Sequence, residues 1–412
     1  MLNTVLIIGL VNPEPESSAA GSRLLQILLF FKKINYRVVF ATSANASSFS
    51  VDLKALAIEH FSIELNSESF DAFLTTINPN IVLFDRFITE EQFSWRVAKQ
   101  CPNALRILDT EDLHCLRLAR QEALKQNLAF TESSLLNSDL SKREIASIYR
   151  SDLSLIISEY EMQILKEVFR LPPTLLHYLP LMLDESKLLA LDELPSFEER
   201  RHFVSIGNFL HPPNWDAVQY LKAELWPLIR KRLPGVELHI YGAYATEKHL
   251  HLSNTKEGFI VKGRANSALK VISNARVLLA PLRFGAGIKG KLLEAMQYGT
   301  PSVSSSIGAE GMGNKENWNG AVCDDRESFA KEALRLYTEK DIFLQAQLKG
   351  REIIRAKFLS SAYLDALEER IQDAQVHLSA KRRENFIGAM LQQENLLSKK
   401  FLAKWIEEKA KK

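Results

Sequence analysis

The sequence predicts an α/β protein that consists of two doubly wound domains followed by a helical C-terminal segment. Short runs rich in Val, Ile and Leu alternate with segments of helical periodicity along most of the 412 residues. Such alternation is typical of parallel strands that are covered by helices on both faces. The runs form two series, and a chain of this length fits two or three domains of roughly 150 residues each.

The first series predicts a domain over residues 1–180. Its first run, 1–11, is apolar but lacks the positive leader and the cleavage site of an export signal, so we interpret it as a buried strand. A helix is predicted over 23–33. Further strands are predicted at 37–41, 81–84, 105–108 and 153–157.

The second series predicts a domain over residues 200–357, with helices over 358–412. Paired prolines in 171–180 and a charged stretch to Arg201 mark the boundary between about 180 and 200. The predicted strands are 202–206, 236–241, 259–261, 277–280 and 302–304. Two such domains joined by a hinge place a cleft between the carboxyl ends of their strands, where open α/β sheets bind ligands.

The composition excludes several classes of protein. Lys+Arg (52) and Asp+Glu (50) give a net charge of +2, which argues against a nucleic-acid-binding protein. The three cysteines match neither a disulfide framework nor a zinc motif, so a reducing, cytoplasmic setting is expected. No run reaches the ~18 apolar residues that a membrane-spanning helix needs.

The segment 280–299 is the most informative part of the sequence. A predicted strand leads into a glycine-rich turn, whose backbone can approach a bulky anion, and two lysines stand at the start of the next helix. The helix dipole disfavours cations there unless an anion joins them. Arg283 adds a guanidinium that suits phosphate oxygens. The pattern predicts a phosphate-bearing ligand, with a solvated basic turn as the alternative. The residues concerned are Gly285, Gly287, Lys289, Gly290 and Lys291.

The same segment distinguishes two kinds of nucleotide site. Residues 285–291 satisfy the phosphate-loop pattern GxxxxGK, but Leu292 stands where that motif needs a Ser or Thr for magnesium, so we reject a nucleoside triphosphatase. Glu294 lies one helical turn after Lys291 and can accept hydrogen bonds from ribose hydroxyls while the loop holds a diphosphate. A simple Lys–Glu surface pair is the alternative.

These residues carry a resemblance to a known family. PLRFGAGIKGKLLEAMQYGTPSVSSSIGAEGM, at 281–312, resembles the donor-site signature of glycosyltransferases with the GT-B fold, of the family 4 (group 1) type. SIGNFLHPPNWDAV, at 205–218, resembles the opening of the C-terminal domain in one branch of that family. The resemblance is strong over roughly 201–325 and weaker over the N-terminal half. It implies two facing Rossmann-like domains.

The resemblance also implies roles for single residues. Glu294 would hold the nucleotide ribose, and Lys291 and Arg283 would contact the diphosphate. Two departures from the family pattern matter. The usual E-x7-E pair, which bears on contacts to the donor sugar, requires a Glu where Ala286 stands. Asn208 and residues 211–214 replace a common Arg and Lys, whose positive charge Lys289 and Lys291 would supply. The remaining donor-binding residues implied are Gly207, Asn208, Gly285, Gly287, Lys289, Glu310 and Gly311.

A turn after the first strand is one candidate for the acceptor side. Related enzymes carry a glycine-rich turn there that borders the cleft, which makes Gly21 and Arg23 candidate contacts. A plain loop capped by Ser17 or Ser18 is an equally weighted alternative.

The polar cluster LDTEDLHCLR, at 108–117, is the second candidate. Asp109, Glu111, Asp112 and His114 can supply acid/base chemistry, and Asp109 and His114 are the preferred catalytic candidates together with Glu294. Asp112 is a candidate cleft residue. An N-cap at Asp109 or Thr110, with acids in the first helical turn, is an equally weighted alternative. A metal site is disfavoured, because adjacent residues of one helical turn cannot all face one ion.

The last stretch, 379–412, carries nine Lys or Arg and four Glu. A basic amphipathic helix of this kind can lie on an anionic membrane or pack on its own protein, and we favour packing. The apolar positions at near-helical spacing are Phe386, Met390, Leu397, Phe401 and Trp405.

Together these features predict an enzyme that moves a sugar from a nucleotide-diphosphate donor to a hydroxyl of a glycan, lipid-linked or other acceptor. Retention of configuration and a role in polysaccharide or glycoconjugate synthesis follow from the resemblance alone. No metal or cofactor is expected, since cationic side chains and a helix N-terminus can stabilise the departing diphosphate. The expected location is the cytoplasm, with peripheral contact to the inner face of the membrane left open. The alternatives are an epimerase or phosphorylase on the same fold, and a catalytically silent nucleotide-binding protein.

Overall fold

The first sheet is built from seven parallel strands in the order β3-β2-β1-β4-β5-β6-β7. In this computed structural model residues 3–410 are described, without the side chains of 394–399 and 410. Strands β1, β4 and β5 are buried throughout, as a sheet covered on both faces requires. The strands are β1 Thr4–Gly9, β2 Arg37–Thr42, β3 Glu59–Ser62, β4 Ile81–Asp85, β5 Leu105–Asp109, β6 Leu153–Ile156 and β7 Leu176–Tyr178.

Helices cover both faces of this sheet and bury two separate apolar clusters against it. Helix α7 continues into a π-helical turn at Ile164–Val168. The helices are α1 Ala19–Lys33, α2 Ser69–Ile77, α3 Arg86–Gln100, α4 His114–Lys125, α5 Ser133–Leu136, α6 Asp139–Arg150 and α7 Glu159–Gln163.

The second sheet has six parallel strands in the order β10-β9-β8-β11-β12-β13. They are β8 Arg201–Ile206, β9 Leu238–Tyr241, β10 Phe259–Gly263, β11 Ala275–Ala280, β12 Ser302–Ser304 and β13 Gly320–Val322. The helices around it are α8 Pro212–Tyr220, α9 Trp226–Arg232, α10 Glu247–Leu250, α11 Ala268–Asn274, α12 Gly290–Gln297, α13 Ser306–Ala309, α14 Arg326–Thr338 and α15 Lys340–Lys357.

After α15 the chain returns to the first sheet through α16 Leu364–Val376, α17 Leu378–Glu384 and α18 Phe386–Ala410. Leu367, Ile371 and Ala374 of α16 are buried in one of the two apolar clusters of the first sheet. Helix α18 lies against α6 and α3, where Arg96 pairs with Glu407. Within the described part of the chain, no helix combines the length and the apolar character that crossing a membrane requires.

The two sheets confirm the predicted α/β fold class, and the errors of the prediction fall at the sheet edges. Strands β3, β7 and β13 were not predicted. β3 is exposed throughout, so it carries no apolar run, and β7 lies within the proline-containing stretch that we assigned to the approach to the boundary. β13 has only three residues.

Candidate active site

A cavity of about 390 Å³ lies between the two sheets, and residues of both halves of the chain line it. The first half contributes the turn after β1 and the start of α1, including Glu16, Ala19 and Ser22. The second half contributes residues 265–269 and the first two turns of α12. Residues 181–183 close it from the connecting segment. The cavity is therefore an inter-sheet cleft of the kind that the two series of strands predict.

The carboxylate of Glu294 lies in the wall of this cavity. Burial raises its pKa to about 7, against the opposing effect of the nearby Lys291 charge. Among the described residues, neither a hydrogen bond nor an ion pair to this carboxylate is found. The alternative of a Lys–Glu surface pair is wrong, because no ion pair joins the two and both lie in a largely buried environment.

Lys291 lies in the first turn of α12 and faces the loop after β8. Its Nζ donates to Oδ1 of Asn214 at 2.7 Å, and a Cβ at Gly207 would lie 2.6 Å from the same Nζ. Burial lowers the pKa of Lys291 to about 8. Asn208 forms the turn between them, because its carbonyl accepts from Asn214 Nδ2 at 2.9 Å. The structure therefore brings three of the predicted donor residues, Gly207, Asn208 and Lys291, together.

Arg283 lies apart from this group. Its Nε donates to Asp216 at 2.9 Å, and its guanidinium lies 4.9 Å from the ring of Tyr220 on the same helix, α8. In this conformation the guanidinium is held by Asp216, and its contact with a diphosphate stays a prediction. A local charge partner on a neighbouring helix cannot be identified from the sequence of the loop alone.

The remaining loop residues contact the first half of the chain. Glu310 forms a two-pronged ion pair with Arg120 of α4, at 2.7 and 2.9 Å. Lys289 is buried and donates from Nζ to the carbonyl of Gly287 at 2.8 Å. The backbone of Gly311 packs against Ser158, since a Cβ there would lie 2.6 Å from Ser158 Oγ. Glu310 and Gly311 thus take part in contacts between the two halves, whereas Lys289 bonds within its own loop.

The structure corrects the roles of Gly21, Arg23 and Asp109. Arg23 and Asp109 are both buried and form an ion pair, with Nη2 to Oδ1 at 2.7 Å. Arg23 also donates to the carbonyl of Leu179. A carboxylate that is 0% exposed and held by a guanidinium cannot touch a substrate, so Asp109 has a structural role. Gly21 packs on the backbone of Glu14 inside the turn that Ser18 caps, and neither Gly21 nor Arg23 lines the cavity.

The N-cap alternative for Asp109 and Thr110 is also wrong. Helix α4 begins at His114, and Leu113 is its N-cap. Its first backbone amides are satisfied from other helices: Glu144 accepts from His114 N at 2.9 Å, and Glu161 accepts from Leu113 N at 2.9 Å. Buried carboxylates at this helix N-terminus replace the local cap that the sequence suggests.

Asp112 and His114 stay together at the cleft. The His114 Nε2 atom lies 3.4 Å from Asp112 Oδ1, and Arg117 donates to the same carboxylate at 2.8 Å. Burial lowers the pKa of His114 to about 4, so its imidazole is neutral at neutral pH. His211 of the second half also faces Asp112, and burial lowers its pKa to about 4. Two neutral imidazoles and a carboxylate therefore converge from opposite halves.

Two strained residues lie beside this group. Arg86, after β4, has φ +72°, and Glu111, after β5, has φ +58°. Non-glycine residues adopt this region at a cost in free energy, and such strain is concentrated at functional sites. Burial raises the pKa of Glu111 well above its usual range, with a further contribution from Asp109. The backbone after β4 and β5 is thus held in a conformation that the packing of the sheet alone does not require.

The sequence did not identify Arg120 and Glu161, which contact the glycine-rich loop from the first half. Glu161 follows β6 in the segment SEYE, and a polar run directly after a buried strand is the feature by which it can be found. Arg120 lies on a helix with no distinguishing pattern around it.

Comparisons with known proteins agree with this geometry. Residues 200–339 match the family model described as glycosyl transferases group 1, which confirms the resemblance over the second half of the chain. An uncharacterised 44.6 kDa protein in the cps region of Klebsiella pneumoniae is 26% identical over 133 residues. That similarity covers 31% of this chain and 34% of the Klebsiella protein, so the chain matches about a third of its curated relative.

Solved structures share the fold over nearly the whole chain. The S. aureus TarM G117R mutant, in complex with fondaparinux, α-GlcNAc-glycerol and UDP, has a TM-score of 0.66 at 10% identity and covers 90% of this chain and 99% of its own. Anabaena HepE, in complex with UDP and glucose, has a TM-score of 0.65 at 12% identity and covers 90% and 100%. Sucrose-phosphate synthase of Thermosynechococcus elongatus has a TM-score of 0.65 at 15% identity and covers 90% and 99%. The protein has the GT-B fold.

Proposed function

We propose that the protein is a glycosyltransferase, which moves a sugar from a nucleoside diphosphate donor to a hydroxyl of a glycan or glycoconjugate acceptor with retention of configuration. The observation that carries the proposal is the unpaired carboxylate of Glu294 in the wall of the inter-sheet cavity. Burying such a group without a partner is costly, and a bound ribose would supply two hydroxyl donors. The group 1 match over 200–339 and the ligands of TarM and HepE support this assignment.

In this proposal the nucleoside occupies the cavity and its diphosphate extends along the N-terminus of α12. Residues 265–269 and 181–183 form the walls against which a base can pack. Gly290 opens α12 and lines the cavity, so the N-terminus of this helix faces the ligand. Lys291, next in the chain, supplies the positive charge that meets the phosphates.

Departure of the diphosphate is the step that this site stabilises. Negative charge grows on the leaving oxygen as the glycosidic bond breaks. Lys291 and the N-terminus of α12 can stabilise that charge without a metal. Among the described residues, one group of three side chains has the spacing of metal ligands: His202, Glu237 and His239, at the amino ends of β8 and β9, opposite the cleft. Because Lys291 and the N-terminus of α12 can stabilise the departing diphosphate, we propose transfer that is independent of divalent cations.

The acceptor is proposed to enter beside Asp112, His114 and His211. The two imidazoles are neutral at neutral pH, so each can accept a hydrogen bond from an acceptor hydroxyl and orient it. A polysaccharide or related glycan is the acceptor class that we propose, consistent with the cps-region relative and the glycan ligands of TarM.

A panel of nucleotide sugars tests the function directly. Sugar transfer and free nucleoside diphosphate are measured for the wild-type protein and for Glu294→Gln, with and without EDTA. We expect Glu294→Gln to reduce sugar transfer and EDTA to leave it intact. Interconversion of sugars without an acceptor supports an epimerase, and binding without turnover supports a silent nucleotide-binding protein. Turnover that EDTA abolishes contradicts the metal-free mechanism.

We further propose that α18 gives the enzyme peripheral contact with an anionic membrane. The helix buries Ala403 and Glu407 against the first sheet's helices, whereas Phe401 and Trp405 are 64% and 56% exposed. Lys400, Lys404 and Lys409 flank this outer face, and Leu397 lies among the side chains outside the described residues. Aromatic side chains beside lysines favour the boundary between lipid headgroups and acyl chains.

Co-sedimentation with phosphatidylglycerol vesicles and with phosphatidylcholine vesicles tests this contact. The double variant Phe401→Ser/Trp405→Ser is expected to lose binding to the anionic vesicles, whereas Val376→Ser, a matched change at an exposed site on α16, is expected to keep it. Equal binding of all three proteins, or binding to neither kind of vesicle, contradicts the proposal.

A further inference from the structure

Two side chains of the first half of the chain hold the glycine-rich loop of the second half from either side of Ala286. Arg120 Nη1 donates to the carbonyl of Gly285 at 2.8 Å. Glu161 Oε1 accepts from the amide of Gly287 at 2.9 Å. The residue between these contacts stands where the resembling family carries the first glutamate of its E-x7-E pair. The loop is therefore fixed by groups that lie outside its own domain.

Both side chains are themselves held rigidly. Arg120 is 7% exposed, lies 5.2 Å from the rings of Phe130 and Tyr160, and forms its ion pair with Glu310 in addition to the loop contact. Glu161 is 0% exposed and accepts from Leu113 N at 2.9 Å with the same oxygen that meets Gly287. Arg120 and Glu161 thus transmit the position of α4 and α7 to the loop.

The backbone of the second half is shaped for this close approach. Gly287 has φ +65°, and a Cβ there would lie 2.9 Å from Cβ of Asp112. At Gly311, as described, a side chain would meet Ser158. Glycine at these two positions lets the loops touch the first half directly, so the glycines fit the closed arrangement of the two domains.

One polar atom in this contact has no partner. Glu161 Oε2 is buried and unbonded among the described residues, and burial raises the pKa of this carboxyl to about 8. Lys289, Asp112 and the two amides are the charged and polar groups that act on it. A carboxyl placed here solely to stabilise the fold would be expected to use both oxygens.

We propose that Arg120 and Glu161 are positioning residues, which set the conformation of the 285–287 loop across the domain contact and thereby the affinity for the donor diphosphate. The proposal rests on the glycosyltransferase assignment for its donor. It gives the first domain control over a loop whose own sequence lacks the family's first glutamate. Neither residue need touch the donor, because each acts through the backbone of Gly285 or Gly287.

Hydrogen exchange without ligand tests the contact itself. Glu161→Ala and Arg120→Lys are expected to raise the exchange rates of amides in 284–290, and Glu161→Gln is expected to restore protection, because its amide oxygen still accepts from Gly287 N. Arg326→Lys, the same change in the exposed pair of Arg326 with Glu224, serves as the control. Unchanged exchange in both Glu161→Ala and Arg120→Lys overturns the proposal.

Calorimetric titration with uridine and UDP tests the link to the donor. Loss of a buried hydrogen bond to the loop predicts a roughly tenfold loss of UDP affinity in Arg120→Lys and Glu161→Ala. Uridine affinity is expected to stay within about twofold, because the nucleoside meets Glu294 rather than the loop. Equal losses for both ligands, or unchanged UDP binding, overturn the positioning role while the proposed function stands. A wild-type protein that binds no nucleoside diphosphate, with ADP and GDP also tried, instead overturns the proposed function.

Discussion

Two groups of charged side chains at the cleft, one in each domain, differ in whether an ion-pair partner compensates them. On the first-domain side, Asp109 is paired with Arg23, and Asp112 with Arg117, so the carboxylates are compensated within the protein. On the second-domain side, Glu294 faces the cavity with no ion-pair partner among the described residues, and the Nζ of Lys291 donates to the neutral Asn214. Compensated charges belong to the fold, whereas uncompensated ones at a cavity are characteristic of binding sites. The sign and size of mutational effects should therefore differ between the two sides.

Removal of Asp109 should have the largest effect, and it should be on stability. Asp109→Ala leaves the guanidinium of Arg23 buried without its partner, so the free energy of unfolding should fall by about 3–5 kcal/mol. Urea denaturation followed by circular dichroism measures this. Asp139→Ala, which breaks an exposed pair with Lys142, is the control and should leave the midpoint nearly unchanged. A small loss in Asp109→Ala would remove the structural role that we assign to this pair.

Glu294→Gln should weaken ligand binding. The variant keeps the shape but loses the charge that accepts the ribose hydroxyls, so the affinity for UDP should fall by about 1.5–3 kcal/mol. Isothermal titration of UDP and uridine should show the loss for both ligands, because both carry the ribose. Equal affinities in variant and wild type would move the nucleoside out of this cavity.

The same substitution should stabilise the fold at alkaline pH. The folded-state pKa of Glu294 is raised to about 7 from 4.5, so the folded protein holds a proton that the unfolded chain releases. Wild-type stability should therefore fall as pH rises from about 4.5 to about 7, and Glu294→Gln should be more stable than wild type by about 1–3 kcal/mol at pH 8. Thermal denaturation at pH 5 and pH 8 measures the difference in stability between the variant and the wild type. A difference of the same size at both pH values would contradict a buried, ionisable Glu294.

Lys291→Ala should separate the diphosphate from the nucleoside. UDP affinity should fall by about 1–2 kcal/mol, whereas uridine affinity should hardly change, because only UDP carries the charge that the ammonium meets. Turnover should slow as well, since negative charge grows on the leaving group. Calorimetric titrations with UDP and with uridine measure both affinities. Equal losses of the two affinities would point to a general disturbance of α12.

Arg283→Ala should have the smallest effect. Its pair with Asp216 is substantially exposed, so the change should cost less than about 1 kcal/mol of stability. UDP affinity should change little if the guanidinium stays with Asp216. A loss of tenfold or more would show that Arg283 leaves this pair for the donor, as the family resemblance implies, and would weaken the contrast between paired and unpaired charges.

The sequence predicts the interior of the sheets well and their edges poorly. Interior strands such as 81–84 are apolar because both of their faces are buried, whereas β3 is a fully exposed edge strand with the sequence EHFS. The donor loop was recognisable because its lysines, glycines and Glu294 lie within one short segment. The acceptor side was not, because the state of Asp109 depends on Arg23, 86 residues away, and no local pattern records that contact.

The return of α16 to the first sheet has a consequence for how the protein is made. Leu367, Ile371 and Ala374 complete an apolar cluster whose other members were synthesised far earlier, before residue 183. On a ribosome that adds roughly 5–20 residues per second, the N-terminal domain would wait on the order of ten seconds or more with that surface open. Its last buried contacts form only after the C-terminal domain has emerged. A fragment ending at residue 180 should therefore aggregate where the full chain folds, although it contains every strand of its sheet.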